Sequence, residues 1–457
     1  MNKALIPQFI ADTMDNADQH GNIEAVVLFL DISGFTPLTT RLMSRGKPGA
    51  EIISSTLNRI FTPMIEAVHE HGGFVSGFAG DAFTAVFPVD GRSTGAYLHA
   101  TAAALTCQAT ANREHMQHTR FGEFPLEISA GLGTGELEWG VVGTEDTLKS
   151  WYFRGVAIDE ATLAEAAAHK GEIRTTPAVS EILTGENIGV QPDSRGNGYD
   201  VVPRAARNAL GNLSKAPTRY DGVPAEGIHR FFRPIDDLPA DTAGEFREVT
   251  SVFIAADAGE TYRDINTTVT CVLRSTRAYG GYFDVLDFGD KGCVMLIAFG
   301  APLNRGKDTE RALSYAVDVL DSLGYRARIG ISRGTVFTGY VGSPERATYT
   351  TLGESVNIAA RIAVGNEPQT AYADLATMKA AGREVSEEAS QARSLKGYEK
   401  PVRIYPVAAP GATIGLGESE REDSDSHSPD PFLVGREKEL GELAAWLDTV
   451  LGVPGVA

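Results

Sequence analysis

The sequence predicts an α+β fold in which two related, mostly antiparallel sheets are each covered by helices. Three observations lead there. Apolar runs of strand length alternate with stretches of helical spacing, and each half of the chain has a central hairpin. The same string of motifs occurs twice, in diverged form. A Gly/Pro/Asp-rich connector separates the two copies.

Residues 1–22 are an N-terminal segment, and the first half runs over 23–218. Val26 to Leu30 is an apolar strand that stops at Asp31. Ser33-Gly34 turns the chain, after which Leu38, Leu42, Ile52, Ile53, Leu57 and Ile60 recur with helical spacing. Phe74–Phe78 and Phe83–Phe87 form a hairpin bent at Gly80-Asp81, where glycine permits a tight backbone. Leu126–Leu132 is the next strand, and Trp151–Asp159 leads into an alanine-rich amphipathic stretch.

Residues 219–245 are the connector, and the second half spans 246–409. It opens on Val249–Ile254 and repeats the landmarks of the first. Gly280-Gly281-Tyr282 through Gly289-Asp290 echoes Gly72-Gly73-Phe74 through Gly80-Asp81; Ala327–Ile331 echoes Leu126–Leu132; Tyr349–Asn357 echoes Trp151–Asp159. The register of the opening strand leaves two counterparts for Asp31, Ala255 and Asp257. Residues 410–431 are Gly/Ser/acid-rich, which predicts a disordered linker.

The totals narrow the class. A chain of 457 residues holds two or three domains, and 42% hydrophobic with 22% charged residues is ordinary for a globular protein. A formal charge of −19 argues against nonspecific nucleic-acid or anionic-membrane partners. Three cysteines without metal-like spacing point to a reducing compartment. The N-terminus lacks the apolar core of a signal peptide, and no apolar run approaches the ~20 residues that span a bilayer. Those features predict a soluble, cytoplasmic protein.

Asp31 and Asp81 carry the chemistry. Either alone reads equally well as a turn residue. Together, at neighbouring strand ends, they are two hard carboxylates of the kind Mg²⁺ needs when nucleotide phosphates fill its other positions. A strand that opens through small residues into a helix also presents backbone N–H groups to a phosphate. The string Phe29-Leu30-Asp31-Ile32-Ser33-Gly34-Phe35-Thr36 followed by Phe78-Ala79-Gly80-Asp81 resembles the metal-binding half of a class III nucleotidyl cyclase catalytic domain. Thr350-Thr351-Leu352-Gly353-Glu354-Ser355-Val356-Asn357 through Arg361 resembles the complementary half, and Asn357 and Arg361 fall on one helix face. With tandem halves, the chain is most similar to the soluble, bicarbonate-responsive branch of that family.

The resemblance implies two ferredoxin-like catalytic domains paired as an intramolecular pseudo-dimer that converts ATP to cyclic AMP and pyrophosphate. Asp31, Asp81 and the Ile32 carbonyl would hold two Mg²⁺ or Mn²⁺ ions. Backbone groups of Ser33, Gly34, Phe35 and Thr36 would cradle phosphates, and Lys396 would bind the triphosphate tail. Asn357 would meet the ribose and Arg361 the phosphoryl charge, while Thr350, with Thr351 beside it, falls at a base-contacting position. The first half has Asp159 and Leu163 where the second has Asn357 and Arg361, so one site is complete and one degenerate. The branch's base-recognising lysine falls on Val285 or Leu286, with Asp284 and Asp287 nearby, which keeps GTP open as substrate and a nucleotide-sensing pseudocyclase open as function. The branch's bicarbonate-binding lysine and arginine fall on Gly77 and Thr162. Finally, 432–457 resembles the start of an AAA-type or related P-loop ATPase module, ending at Gly452–Ala457 before the Lys-Ser/Thr of a Walker A loop.

Overall fold

The computed structural model describes residues 3–13, 19–193, 196, 198–211, 213, 216, 228–231, 244–289, 292–386, 388, 390–395, 398 and 400–408. The expectations for Asp290, Lys396, the linker, the P-loop-like end and most of the connector lie outside these residues.

The first half is built on a long strand, β1 (His20–Ser33). Its even-numbered residues Val26, Leu28, Leu30 and Ile32 enter one apolar core, while Ala25 and Val27 face another, as alternation requires. Helix α1 (Gln8–Thr13) precedes it, and α2 (Phe35–Met43) and α3 (Lys47–Glu70) follow. Strands β2 (Phe74–Ala79) and β3 (Ala82–Pro88) make the expected hairpin. Then come α4 (Gly95–Arg113), a small ribbon of β4 (Met116–Thr119) and β5 (Gly122–Pro125), β6 (Glu127–Val142), β7 (Ser150–Arg154), α5 (Val156–Ala166), β8 (Ile173–Thr175), α6 (Pro177–Gly185), β9 (Asp200–Val201) and α7 (Ala206–Leu210). The sheet order is β2-β3-β1-β6-β8-β9, with β7 added to β6.

The second half repeats this plan. Its elements are β10 (Glu245–Ala256), α8 (Tyr262–Ala278), β11 (Tyr282–Gly289), β12 (Gly292–Phe299), α9 (Asp308–Leu323), β13 (Ala327–Gly342), β14 (Ala347–Leu352), α10 (Glu354–Gly365), β15 (Thr370–Asp374), α11 (Leu375–Ala380), β16 (Gln391–Arg393) and β17 (Val402–Ala408). The order β11-β12-β10-β13-β15, with β14 added to β13, matches the first sheet strand for strand.

Two glycines align the halves. A Cβ on Gly131 of β6 would lie 2.0 Å from the Ala161 carbonyl oxygen of α5, and one on Gly330 of β13 would lie 2.1 Å from that of Ala359 in α10. Each helix therefore rests directly on its strand. Equating these contacts pairs Asp159 with Asn357 and Leu163 with Arg361. It also matches Ser129 with Arg328, and so Asp31, opposite Ser129, with Ala255, opposite Arg328. Ala255, not Asp257, is the counterpart of the first carboxylate.

The Gly-Asp echo is not positional. Asp31 stands opposite Ala82, the closing pair of the first hairpin with Ala79. Ala255 stands opposite Val294, whose partner is Asp287, and two further pairs follow, ending at Gly289 and Gly292. The place held by Asp81, next to Ala82, is held by Cys293.

The halves pack against one another within one unit, Met1–Ala412. Asn58 Oδ1 of α3 accepts from the Gly342 amide at 3.1 Å, and Asn266 Oδ1 of α8 accepts from the Gly143 amide at 2.8 Å. The same contact thus occurs on both sides of a pseudo-two-fold relation, at the ends of β13 and β6. Phe337 and Val341 of β13 enter the first half's core beside Phe61 and Ile65 of α3. Burial of such side chains contributes roughly 1.5–3 kcal/mol each, which makes this a cohesive interface.

Candidate active site

Asp31 does not end its strand, as the apolar run suggested; β1 continues through Ser33. Ladder pairing to β3 and β6 on either side therefore fixes the carboxylate's backbone. Asp81 sits in the β2–β3 turn beside Gly80, whose φ of 70° suits glycine. The Ile32 amide donates to the Asp81 carbonyl at 3.2 Å, tying the two acidic residues together. Burial, then the charges of Asp81 and Glu165, pushes Asp31 up to about 7, and burial pushes Asp81 up to about 6. Glu165 is a member the sequence did not signal. It lies on α5 and accepts from the Ser129 hydroxyl at 2.5 Å.

Two half-buried carboxyls, each held back from ionising, are the donor set that a hard divalent cation relieves. Among the described residues no group of three or more His, Cys, Asp or Glu side chains is placed to hold a metal, so the protein offers these two carboxylates and leaves other positions to phosphate oxygens or water. The residues fit the ion.

Beyond Asp31, Gly34 precedes α2 with φ 95°, and a Cβ there would lie 2.3 Å from the Pro125 carbonyl oxygen. Only glycine lets the chain turn here, so α2, with its first amides at Phe35 and Thr36, starts directly after the strand that carries Asp31. The Phe35 and Ile32 side chains are core residues, so only their backbone groups are available to a ligand.

On the second half, Asn357 and Arg361 sit one turn apart on α10, Asn357 exposed and Arg361 half-buried. The Arg361 guanidinium lies 5.0 Å from the centre of the Tyr398 ring. Tyr398 was missed at the sequence level, although it stands two residues past Lys396 in the sequence. Thr350 and Thr351 are both buried and point to opposite faces of β14. Thr351 lies beside Asp284, which burial pushes up to about 7. The Thr351 hydroxyl and amide face that carboxyl and work against the rise.

The two halves of the site meet at the Asp81 turn. A Cβ on Gly80 would lie 3.6 Å from Leu352 Cδ2, and Leu352 precedes Asn357 by five residues and Arg361 by nine. The equivalent position on the other side is Arg154. It pairs with Glu138 at 2.7 Å, donates to the carbonyls of Gly259 (3.4 Å) and Glu260, and lies over Phe288 at 5.7 Å. The second cleft is thus bridged by an arginine, with exposed Leu163 where the first has Arg361.

Residues 17–201 match the family of adenylate and guanylate cyclase catalytic domains. The chain carries a class III cyclase catalytic domain. Adenylate cyclase type 10 of Oryctolagus cuniculus is 26% identical over 389 residues, covering 74% of this chain and 24% of the relative. The Homo sapiens protein of that name is 26% identical over 387 residues, with the same coverage. The chain spans about a quarter of the length of these relatives. A crystal structure of a class III adenylyl cyclase-like ATP-binding protein from Pseudomonas aeruginosa superposes with a TM-score of 0.55 at 12% identity, over 81% of this chain and 86% of that one. That span takes in both halves, so the tandem class III cyclase fold extends beyond residue 201.

Proposed function

We propose that the chain is a nucleotidyl cyclase that converts ATP to 3′,5′-cyclic AMP and pyrophosphate at one composite site. The observation that carries this reading is the meeting of the Asp31/Asp81 pair with the strand that leads into Asn357 and Arg361. Asp31 and Asp81, with the Ile32 carbonyl, would hold two Mg²⁺ or Mn²⁺ ions. When bound, such ions lower the pKa of the ribose 3′-hydroxyl and neutralise phosphate charge. The chain's own groups position the rest. Amides from Ser33 to Thr36 would bind phosphate oxygens, Lys396 the triphosphate tail, Asn357 the ribose, and Arg361 the charge that grows as pyrophosphate leaves. Thr350 and Thr351 would line the base pocket, which lacks a lysine and keeps GTP open as substrate.

Its setting would be the cytoplasm, which suits three free cysteines and described helices none of which is long and apolar enough to cross a membrane. A second reading, an ATP-binding regulatory module with little turnover, is favoured by the missing base lysine and by the name of the Pseudomonas neighbour. One assay separates them: purified protein with ATP or GTP and Mn²⁺, followed for cyclic nucleotide and pyrophosphate. Product formation supports the cyclase; nucleotide binding without product supports the module.

A further inference from the structure

Arg346 is a buried cation that the proposed chemistry does not use. It lies in the turn between β13 and β14, on the second half, and is 3% exposed. Among the described residues no carboxylate pairs with it, and burial pulls its guanidinium down to about 9. A buried charge without a counter-charge is costly unless hydrogen bonds replace its water. Here they do. Nε donates to the Val75 carbonyl at 3.0 Å, and Nη1 donates to the carbonyls of Ala347 at 2.6 Å and Ala4 at 3.2 Å. The guanidinium also lies over the rings of Phe78 (5.1 Å) and Trp151 (5.8 Å).

Val75 belongs to β2, the outermost strand of the first sheet, whose ladder shifts register at Ser76. An outer strand leaves carbonyls unpaired. Two successive ones are taken here, Val75 by Arg346 of the second half and Ser76 by the Trp151 indole of the first, at 3.2 Å.

The contact has a partner at the other end of the same two strands. Arg346, just before β14, holds Val75, while Leu352, at the end of β14, meets Gly80. Extended chain rises ~3.3 Å per residue, so the stretch from 346 to 352 spans roughly 20 Å and that from 75 to 80 roughly 17 Å. The two segments therefore approach one another at two points, one near each end. One delivers Asp81, the other delivers α10. The position matching Arg346 in the first half is Leu148, so the other side has no cation at this place.

We propose that Arg346 is a positioning residue that fixes the Asp81 turn against α10 and so sets the spacing of the composite site. The proposal rests on the composite-site reading above. Arg346→Met keeps an apolar side chain of similar reach without the donors, and Arg346→Lys keeps the charge with fewer of them.

Hydrogen exchange tests this on the full chain independently of turnover. Arg346→Met should speed exchange of the 74–81 amides at least tenfold, with β6 unchanged, and Arg346→Lys should give a smaller increase. In the same variants, turnover should fall at least tenfold in Met and less in Lys, with the nucleotide KM shifted less than threefold. Unchanged exchange at 74–81, or a rise shared equally by β6, overturns the proposal. So does full turnover with loosened exchange. If Arg346→Met does not fold, Arg346→Lys decides by the same criteria. If wild-type protein makes no product while exchange responds as expected, the joint stands and the cyclase reading falls.

Discussion

The Ile32 amide donates to the Asp81 carbonyl at 3.2 Å, so the backbone beside one carboxylate is hydrogen-bonded to the residue that bears the other. Neither backbone segment can move away from the other without breaking that bond. The resulting repulsion is part of why Asp31 is pushed up to about 7. As the proposed metal ligands, Asp31 and Asp81 have no substitute among the described residues. Asp31→Ala and Asp81→Ala should each lower cyclic nucleotide production by about 10²-fold or more. Steady-state assays at saturating Mn²⁺ check this, and full activity in either variant would remove the metal site from the first half.

Asn357 and Arg361 are assigned to contacts that strengthen as charge develops. Alanine at either should lower turnover more than it weakens nucleotide binding. Asp159→Ala, at the matching position of the bridged cleft, should be milder. Comparing kcat with an independently measured Kd decides the point. Damage from Asp159→Ala equal to that from Arg361→Ala would mean that both clefts work.

Carboxyl pKa values raised by folding give a signed pH dependence. From an unfolded value of 3.8 to about 7 for Asp31 and about 6 for Asp81, the native state holds protons that the unfolded state has lost. Their stabilising contribution is complete below the unfolded value and is lost as pH rises through the folded ones. Without divalent cations, melting temperature should therefore fall between pH 4 and 7 more steeply in wild type than in Asp31→Asn/Asp81→Asn. Mn²⁺ favours the ionised forms, so it should raise the melting temperature more at pH 8 than at pH 5.5. Parallel pH curves for the two proteins would contradict this account of the pair.

Bicarbonate should not stimulate the protein. A buried small anion needs cationic donors to replace its water, and Gly77 and Thr162 supply no charge. Thr162 instead donates its hydroxyl to the Ile158 carbonyl at 2.9 Å. The arginine that does reach the second cleft, Arg154, is already paired with Glu138. A bicarbonate titration at clamped pH and ionic strength should be flat, and a saturable several-fold rise would show that Arg154 exchanges partners.

Much of this arrangement was legible because it is written in local chemistry. The hairpin at Gly80-Asp81, the tandem repeat and the i, i+4 spacing of Asn357 and Arg361 all follow from short-range rules. The lengths of β6 and β13 did not. The predicted strands stop at Leu132 and Ile331, whereas β6 and β13 run on to Val142 and Gly342, and no local pattern shows that a helix lies on each strand and excludes a Cβ at Gly131 and Gly330. The Gly289-Asp290 echo misled for a related reason, since a longer hairpin moves the motif two pairs past the level of Asp31. Glu165, Tyr398 and Arg346 depend on contacts between segments far apart in sequence, which no local pattern encodes.

The central claim is that a single chain supplies both parts of one site, and a mixing experiment tests it most directly. Asp31→Ala spoils the carboxylate part and Arg361→Ala spoils the α10 part. Cyclic nucleotide formation with Mn²⁺ would be measured for wild type, for each variant and for an equimolar mixture after prolonged co-incubation. Wild type should be active and both variants nearly inactive, with the mixture no better than their average. Recovery of a substantial fraction of wild-type activity in the mixture would contradict the account, because the site would then form between chains.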